Sequence, residues 1–379
     1  MPVSLTQTPT TPNGTYTNLV YVASSTSSIE PQYQYVMDVY ESGSANLLTR
    51  IKQYPNPYNV AVFDPSRILN DYLVYPTAFD LGTSTVVSNT QRKEFRIEFG
   101  EEYAPSESGS VTLYPNQTSH DINVMPIVID PNNGESYNWL ESGSAKLLTD
   151  RPNNVPIVGD QDWFYLTAYN GTNSNETLVA SALDEDGSVT DTLSFTLEPN
   201  WTLTINVGAS TTAGTFGFNI DKGLKIEYNG ETLTLPYDQN SCHWDRVNFA
   251  FINNYGFWDW YSVSLPQSKN TRINRREITT PFVNYSSITS PYDNTRRGID
   301  LYNTSLTDDL RISTQWLTEE EAEWLTQMLE SPEVYVQVGN KMLPIVITNT
   351  SYSHNTNRRA QKKFQYEIQY RFANQRRGR

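Results

Sequence analysis

Leu317-Thr318-Glu319-Glu320-Glu321-Ala322-Glu323-Trp324-Leu325-Thr326-Gln327-Met328-Leu329-Glu330-Ser331-Pro332 carries a helix complete with its start and stop signals. Thr318 can accept from the Glu321 amide while the Glu321 carboxylate reaches back to the Thr318 amide, a capping box. Leu317 and Ala322 sit where a hydrophobic staple closes, and the acidic first turn suits the helix dipole. Trp324, Leu325, Met328 and Leu329 form one apolar stripe, and Ser331-Pro332 ends the helix. The spacing therefore predicts a helix over 318–331. A hairpin follows, with Val334, Val336 and Val338 alternating, a turn at Gly339-Asn340, and Ile345 and Ile347 on the return. The last strand runs from Lys363 to Phe372. Phe364, Tyr366, Ile368, Tyr370 and Phe372 point one way, and Lys363, Gln365, Glu367, Gln369 and Arg371 point the other.

Outward from this unit the chain speaks mostly of strands. Its 379 residues suit two or three domains. Abundant Tyr, Thr, Ser and Asn with little charge favour strands and turns over helices. The expectation is a mainly β, multidomain chain of antiparallel sandwiches or a barrel, with one flanking helix in the C-terminal domain. Residues 1–30 read as an extended arm, 31–130 as a β-rich domain, 131–240 as a β-sandwich domain, and 241–379 as the C-terminal domain.

Within that frame, Tyr33–Tyr40 and Leu47–Lys52 make a hairpin, and Phe63–Leu73 is a short helical candidate with Asp64 as cap and Pro65 in the first turn. Arg92–Phe99 alternates as a strand. Glu41-Ser42-Gly43-Ser44-Ala45-Asn46-Leu47-Leu48-Thr49-Arg50 recurs as Glu141-Ser142-Gly143-Ser144-Ala145-Lys146-Leu147-Leu148-Thr149-Asp150, matching at eight of ten positions. Duplication of a β-domain and convergence on one good turn both produce such a match. Short strands with turn signals fill 160–240. The most aromatic stretch, Val247–Val263, holds two strands around Asn253-Asn254-Tyr255-Gly256. Thr271–Thr279, with Arg272, Arg275 and Arg276, reads as a strand facing solvent or a partner.

The formal net charge of −15 argues against a general nucleic-acid binder. Arg358–Arg379 holds eight basic residues and one acid, a net of +7, which leaves −22 for residues 1–357. An acidic body with a basic end suits contact between subunits; a solvated tail is the plainer reading. Direct nucleic-acid contact is expected, if anywhere, only through that basic end. The start of the chain lacks signal-peptide features, and no segment approaches a membrane span.

Catalytic vocabulary is sparse. There is one cysteine, Cys242, and three histidines, His120, His243 and His354. Cys242 and His243 are neighbours that a strand would point to opposite faces. Asp184-Glu185-Asp186-Gly187-Ser188 begins like a calcium loop but lacks the later bidentate Glu. Glu98, Glu101 and Glu102 are a candidate carboxylate cluster for glycoside hydrolysis. Trp258 and Trp260 share a strand face and could stack a sugar, although core packing is the commoner use of such a pair. No enzyme activity, cofactor or metal is expected.

Three stretches resemble virion structural proteins of tailed bacteriophages, especially tail or baseplate proteins of phages infecting Bacteroidetes-type hosts. They are Tyr35–Tyr40 with Pro55-Asn56-Pro57 and Phe63–Leu69; Phe249–Gly256; and Trp316–Glu321 through Ser331–Tyr335 to the final strand. The third is similar to the tail-tube and distal-tail fold, an antiparallel β-structure with one flanking helix. The resemblance implies a non-enzymatic protein of the virion, assembled in the host cytoplasm as a homo-oligomeric ring beside other virion proteins. Lys363, Gln365, Glu367, Gln369, Arg371, Arg376 and Arg377 are the candidate contact residues. Two alternatives stay open: a capsid-associated decoration or head-fibre base, and a glycan-binding or glycan-cleaving host-recognition protein using Trp258 and Trp260.

Overall fold

A computed structural model describes residues 3–9, 11, 13–16, 18–73, 85–88, 93–127, 145–153, 155–158, 165–184, 186–206, 223–238, 246–280, 298–339, 341–349, 364–374 and 376–377. His243, Cys242, His354 and Lys363 lie outside them. The chain divides into two compact units: unit 1 is Met1–Gln239 with Ile252–Asp259, and unit 2 is Asn240–Phe251 with Trp260–Arg379.

Unit 1 runs β1 (Ser4–Gln7), β2 (Asn13–Gly14), β3 (Tyr21–Ser24), β4 (Gln34–Glu41), β5 (Leu47–Gln53), β6 (Val60–Phe63), α1 (Ser66–Asp71), β7 (Thr85–Ser88), β8 (Lys93–Tyr103) and β9 (Thr112–Met125). It continues through β10 (Ala145–Leu147), β11 (Ile157–Val158), β12 (Tyr165–Asn170), β13 (Glu176–Leu183), β14 (Val189–Leu197), β15 (Thr202–Asn206), β16 (Gly223–Tyr228) and β17 (Glu231–Asp238). Four sheets result, ordered β1-β3-β6, β2-β9-β8-β4-β5, β10-β12-β15-β7 and β11-β17-β16-β13-β14. The first two form a sandwich. Tyr21, Ala23, Ala61 and Phe63 share one core with Tyr35, Met37, Val39, Phe95, Ile97 and Phe99, and the Phe99 ring lies 5.3 Å from that of Tyr21.

The described residues among 1–30, expected as an extended arm with one strand, are woven into this unit: β1 pairs with β3, β2 pairs in parallel with β9, and Val3 and Leu19 are buried. Burying those apolar groups outweighs leaving the arm in water. Helix α1 is shorter than the pattern suggested. Its N-cap is Pro65, and Asp64 Oδ1 instead accepts from the amides of Leu19 and Ser66 at 3.0 Å each. The two matching decapeptides lie in unlike places. Leu47 is 43% exposed in a hairpin strand beside β4, whereas Leu147 is 4% exposed on β10 beside β12.

Unit 2 comprises β18 (Val247–Ile252), β19 (Trp258–Val263), β20 (Gln267–Thr279), β21 (Ile299–Ser313), α2 (Glu319–Glu330), β22 (Val334–Val338), β23 (Lys341–Ile347), β24 (Glu367–Phe372) and β25 (Arg376–Arg377). The turn between β18 and β19 counts with unit 1. The sheet order is β19-β18-β22-β23-β24-β21-β20, with β25 also paired to β21. The chain is thus mainly β and antiparallel, with one helix near its C-terminus, as its composition and patterning indicate. The capping box forms as written: Glu321 N donates to Thr318 Oγ1 at 3.2 Å, and Thr318 N donates to Glu321 Oε2 at 2.7 Å. Ala322, Trp324, Leu325 and Met328 are buried, while Leu329 is half-buried. The final strand starts later than its alternation suggests. Phe364 forms a lone bridge to Leu317, and Tyr366 N donates to Thr314 Oγ1, so this stretch ties down the lead-in to the helix before the β24 ladder begins.

Two stability tests follow from these contacts. Asp38 is buried and bound bidentately by Arg50, at 2.6 and 2.7 Å, across the β4–β5 ladder. Removing the guanidinium leaves a buried carboxylate without its partner on the face of β4 opposite Met37 and Val39. Arg50→Ala should cost about 2 kcal/mol in urea unfolding, below the range for a fully enclosed pair, because the Arg50 side chain stays 32% exposed. Thr318→Ala should cost unit 2 about 1 kcal/mol, and Thr318→Ser should restore most of it.

Candidate assembly face

The strand directions of unit 2 sort the candidate contact residues. Phe249 and Phe251 alternate onto one face of β18, where the Phe251 ring lies 5.7 Å from that of Trp324 on α2. The Phe249 ring is 5.4 Å from that of Tyr370, so Tyr370 belongs to the same covered face. Burial pushes the Tyr370 hydroxyl up to about 12, against the opposing pull of its hydrogen bond from Gln267. Because side chains alternate, Glu367, Gln369 and Arg371 face the other way.

On that outward face the ladder assembles a polar stripe. Arg371 lies opposite Asp309 on one side and Val346 on the other, Gln369 opposite Arg311, and Glu367 opposite Ser313. Directly opposed residues share a face, so these form one patch. Glu367 Oε1 accepts from Gln369 Nε2 at 2.5 Å and lies 3.9 Å from Arg311 Nη1. Asn349 pins the stripe's end, its Oδ1 accepting from Gln369 N at 2.6 Å and its Nδ2 donating to Glu367 O. Gln365 lies on the same side of the chain but is spent locally, its Nε2 donating to Thr314 O at 3.0 Å. Arg376 and Arg377 form β25, paired with Leu306 and Ser305, so at these residues the basic end is held along β21. Where β24 gives way to β25, Ala373 N donates to Pro344 O. A groove of about 300 Å³ lies at this break, lined by Leu306, Asp308, Pro344, Val346, Arg371 and Phe372 among others.

The residues considered for chemistry are held in structural roles. Glu98 pairs with Arg96 at 2.9 Å and Glu102 with Lys52 at 2.6 Å. Glu101 is buried and accepts from Ser25 Oγ, Tyr33 OH and Gln117 Nε2 at 2.6, 2.9 and 3.0 Å. Burial, with the neighbouring Glu101, pushes the Tyr33 hydroxyl well above its usual range. Glu101 and Glu102 tie β8 to neighbouring segments, while Glu98 pairs within β8 itself. Trp258 is 7% and Trp260 5% exposed, so neither presents an open ring face for a sugar. An exposed tryptophan does exist at Trp316, 62% exposed two residues before the helix cap, and nothing in its local pattern singled it out. Asp184 Oδ1 accepts from the amides of Asp186 and Ser188, closing the β13–β14 turn, with Gly187 at φ +78°. Among the described residues no group of three His, Cys, Asp or Glu side chains converges as a metal site. No helix among them is long and apolar enough to cross a membrane.

Asn253 is a structural residue that sequence reasoning passed over as part of a turn. Its Oδ1 accepts from Tyr255 N and Phe257 N, and its Nδ2 donates to Leu148 O, all at 3.0–3.1 Å. Tyr255 OH adds a bond to Asp150, and Gly256, at φ +80°, leaves no room for a Cβ beside Pro126. The signal was present, since Asn bonding its own backbone two residues on is a turn device.

The sequence matches no protein-family model, and no curated protein matches it at a significant level.

His120 supplies a pH test. Its Nδ1 lies 3.1 Å from Tyr21 OH, and burial holds its pKa below the usual value, with Asp121 pulling weakly the other way. The unfolded chain takes up this proton at about pH 6.5, before the folded one does. Stability should therefore fall as pH drops through that value, and level off once the folded imidazole also titrates. His120→Asn should flatten this part of the profile of urea midpoint against pH; an unchanged slope would show that other groups cause it.

Proposed function

We infer that this chain is a non-enzymatic structural protein of a tailed-bacteriophage virion, forming a ring or adaptor of the tail or baseplate through strand contacts between copies. The observation that carries the self-assembly part is the one-sided cover of β24 in unit 2's sheet, where Ile368 and Tyr370 are buried while Glu367 and Arg371 are exposed. Its inner face is closed by α2 and aromatic packing. Its outer face holds a continuous stripe of Glu367, Gln369, Arg371, Arg311 and Asp309, beside a groove lined by both apolar and polar residues. Mixed polar and apolar surfaces with Arg and aromatic residues suit repeated subunit contacts. The virion part rests on the three resembling stretches. A capsid-associated position would use the same surfaces. The glycan-recognition alternative would draw on Trp316, the exposed ring, in place of Trp258 and Trp260.

Native mass spectrometry of the purified chain should show a closed oligomer, and labelled particles should carry the protein at the tail. A monomer at every concentration, absent from particles, would overturn the reading. Label on the head would select the capsid-associated position. Trp316→Ala should leave assembly unchanged, and loss of binding on a glycan array in that variant would favour the recognition alternative.

A further inference from the structure

Among the described residues strand β20 is the open end of unit 2's sheet, and all 13 of its residues are exposed. It pairs along its whole length with β21, but β21 outruns its other neighbours. Strand β24 covers Asp309–Ser313 and β25 covers Ser305 and Leu306, so among the described residues 299–304 pairs with β20 alone. This projecting two-stranded ribbon leaves Ile278, Ile299, Leu301 and Tyr302 in solvent. Thr279 and Glu277 lie opposite Ile299 and Leu301, and Asp300 lies opposite Ile278, so apolar groups occur on both faces of the ribbon. Two strands alone are marginal in water, and an apolar cluster of this kind marks a contact surface.

Charge identifies the occupant. Strand β20 bears Lys269, Arg272, Arg275 and Arg276 against a single acid, Glu277. Lys269 pairs with Asp308 at 2.8 Å and Arg272 approaches Asp309 at 3.8 Å. Arg275 and Arg276 lie opposite Thr304 and Asn303 and make no ion pair among the described residues. Two β20 strands set antiparallel would crowd arginine against arginine, which disfavours a symmetric pair. The complementary charge is in the same chain. Unit 1 has 29 acidic and 10 basic residues, a net of −19, and unit 2 has 13 acidic and 17 basic, a net of +4. One edge of unit 1 that is open among the described residues matches: β14 ends its sheet, is exposed along most of its length and carries Asp191. Asp184 and Asp186 stand in the turn before it, and no Lys or Arg occurs from Asp184 to Glu198.

We propose that β20 of one copy adds as an antiparallel strand to β14 of a second copy, setting Arg275 and Arg276 against the Asp184–Asp191 end. This rests on the self-assembly reading above and names its surface. Backbone pairing supplies affinity, and the charges with the bulge at Arg276/Glu277 reject edges that are not acidic. The contact joins unlike surfaces, so it propagates head to tail and closes into a ring if the rotation allows.

The test is light scattering on the full chain across concentration and salt, with three variants: Arg275→Glu/Arg276→Glu, Asp186→Lys/Asp191→Lys, and all four changes together. Each double reversal should weaken association by at least about ten-fold, the quadruple variant should restore it, and added salt should weaken the unaltered protein. All substituted positions are exposed or in a surface turn, and matching thermal midpoints would verify folding. A chain that assembles while either reversal has no effect, or while the quadruple variant stays dissociated, overturns this pairing and leaves self-assembly standing. A chain that never assembles overturns both.

Discussion

The seat of Trp324 on the sheet organises unit 2. Its ring lies 5.7 Å from Phe251 and 6.1 Å from Tyr261, and its side chain is almost fully buried. A large aromatic group withdrawn from water on one face commits that face to the interior. Alternation does the rest. Phe249, Ile368 and Tyr370 follow it inward, and Glu367, Gln369 and Arg371 are left outside without any further instruction. The capping box holds α2 in place because its first amides find side-chain partners within the same turn.

Unit 1 obeys a different constraint. Its sandwich closes inner faces against each other, so polar groups carried into the strands must bring partners. Asp38 has Arg50, Glu102 has Lys52, and Glu101 has two hydroxyls and an amide. A buried carboxylate without such donors would cost about 3 kcal/mol. The pattern that suggested an active site is the pattern of a satisfied interior. What remains at the surface is strongly acidic, which favours solubility and gives a basic edge strand something to find.

Much of the helix, the β22–β23 hairpin and the alternation of the last strand was legible in residues 317–372, because caps, turn pairs and period-two patterning act over a few residues. The long β20–β21 ribbon was read only in part. A strand exposed on both faces has no buried stripe, so Gln267–Asn270 and 299–309 carry no hydrophobic period to announce them. Trp258 and Trp260 were correctly placed on one strand, yet their burial depended on what packs over that strand, and a local pattern does not contain this.

The amino-acid order by itself determined which side chains share a face, where the C-terminal helix starts and stops, and that the chain is built of antiparallel strands. Tertiary structure decided which of each pair of faces is covered, which edges stay open, and whether a carboxylate cluster is a site or cement. The physical reason is range. Hydrogen-bonded turns and side-chain alternation are set by neighbours in sequence, whereas burial is a joint property of segments far apart. Leu47 and Leu147 have nearly the same local sequence, and one meets water while the other meets the core.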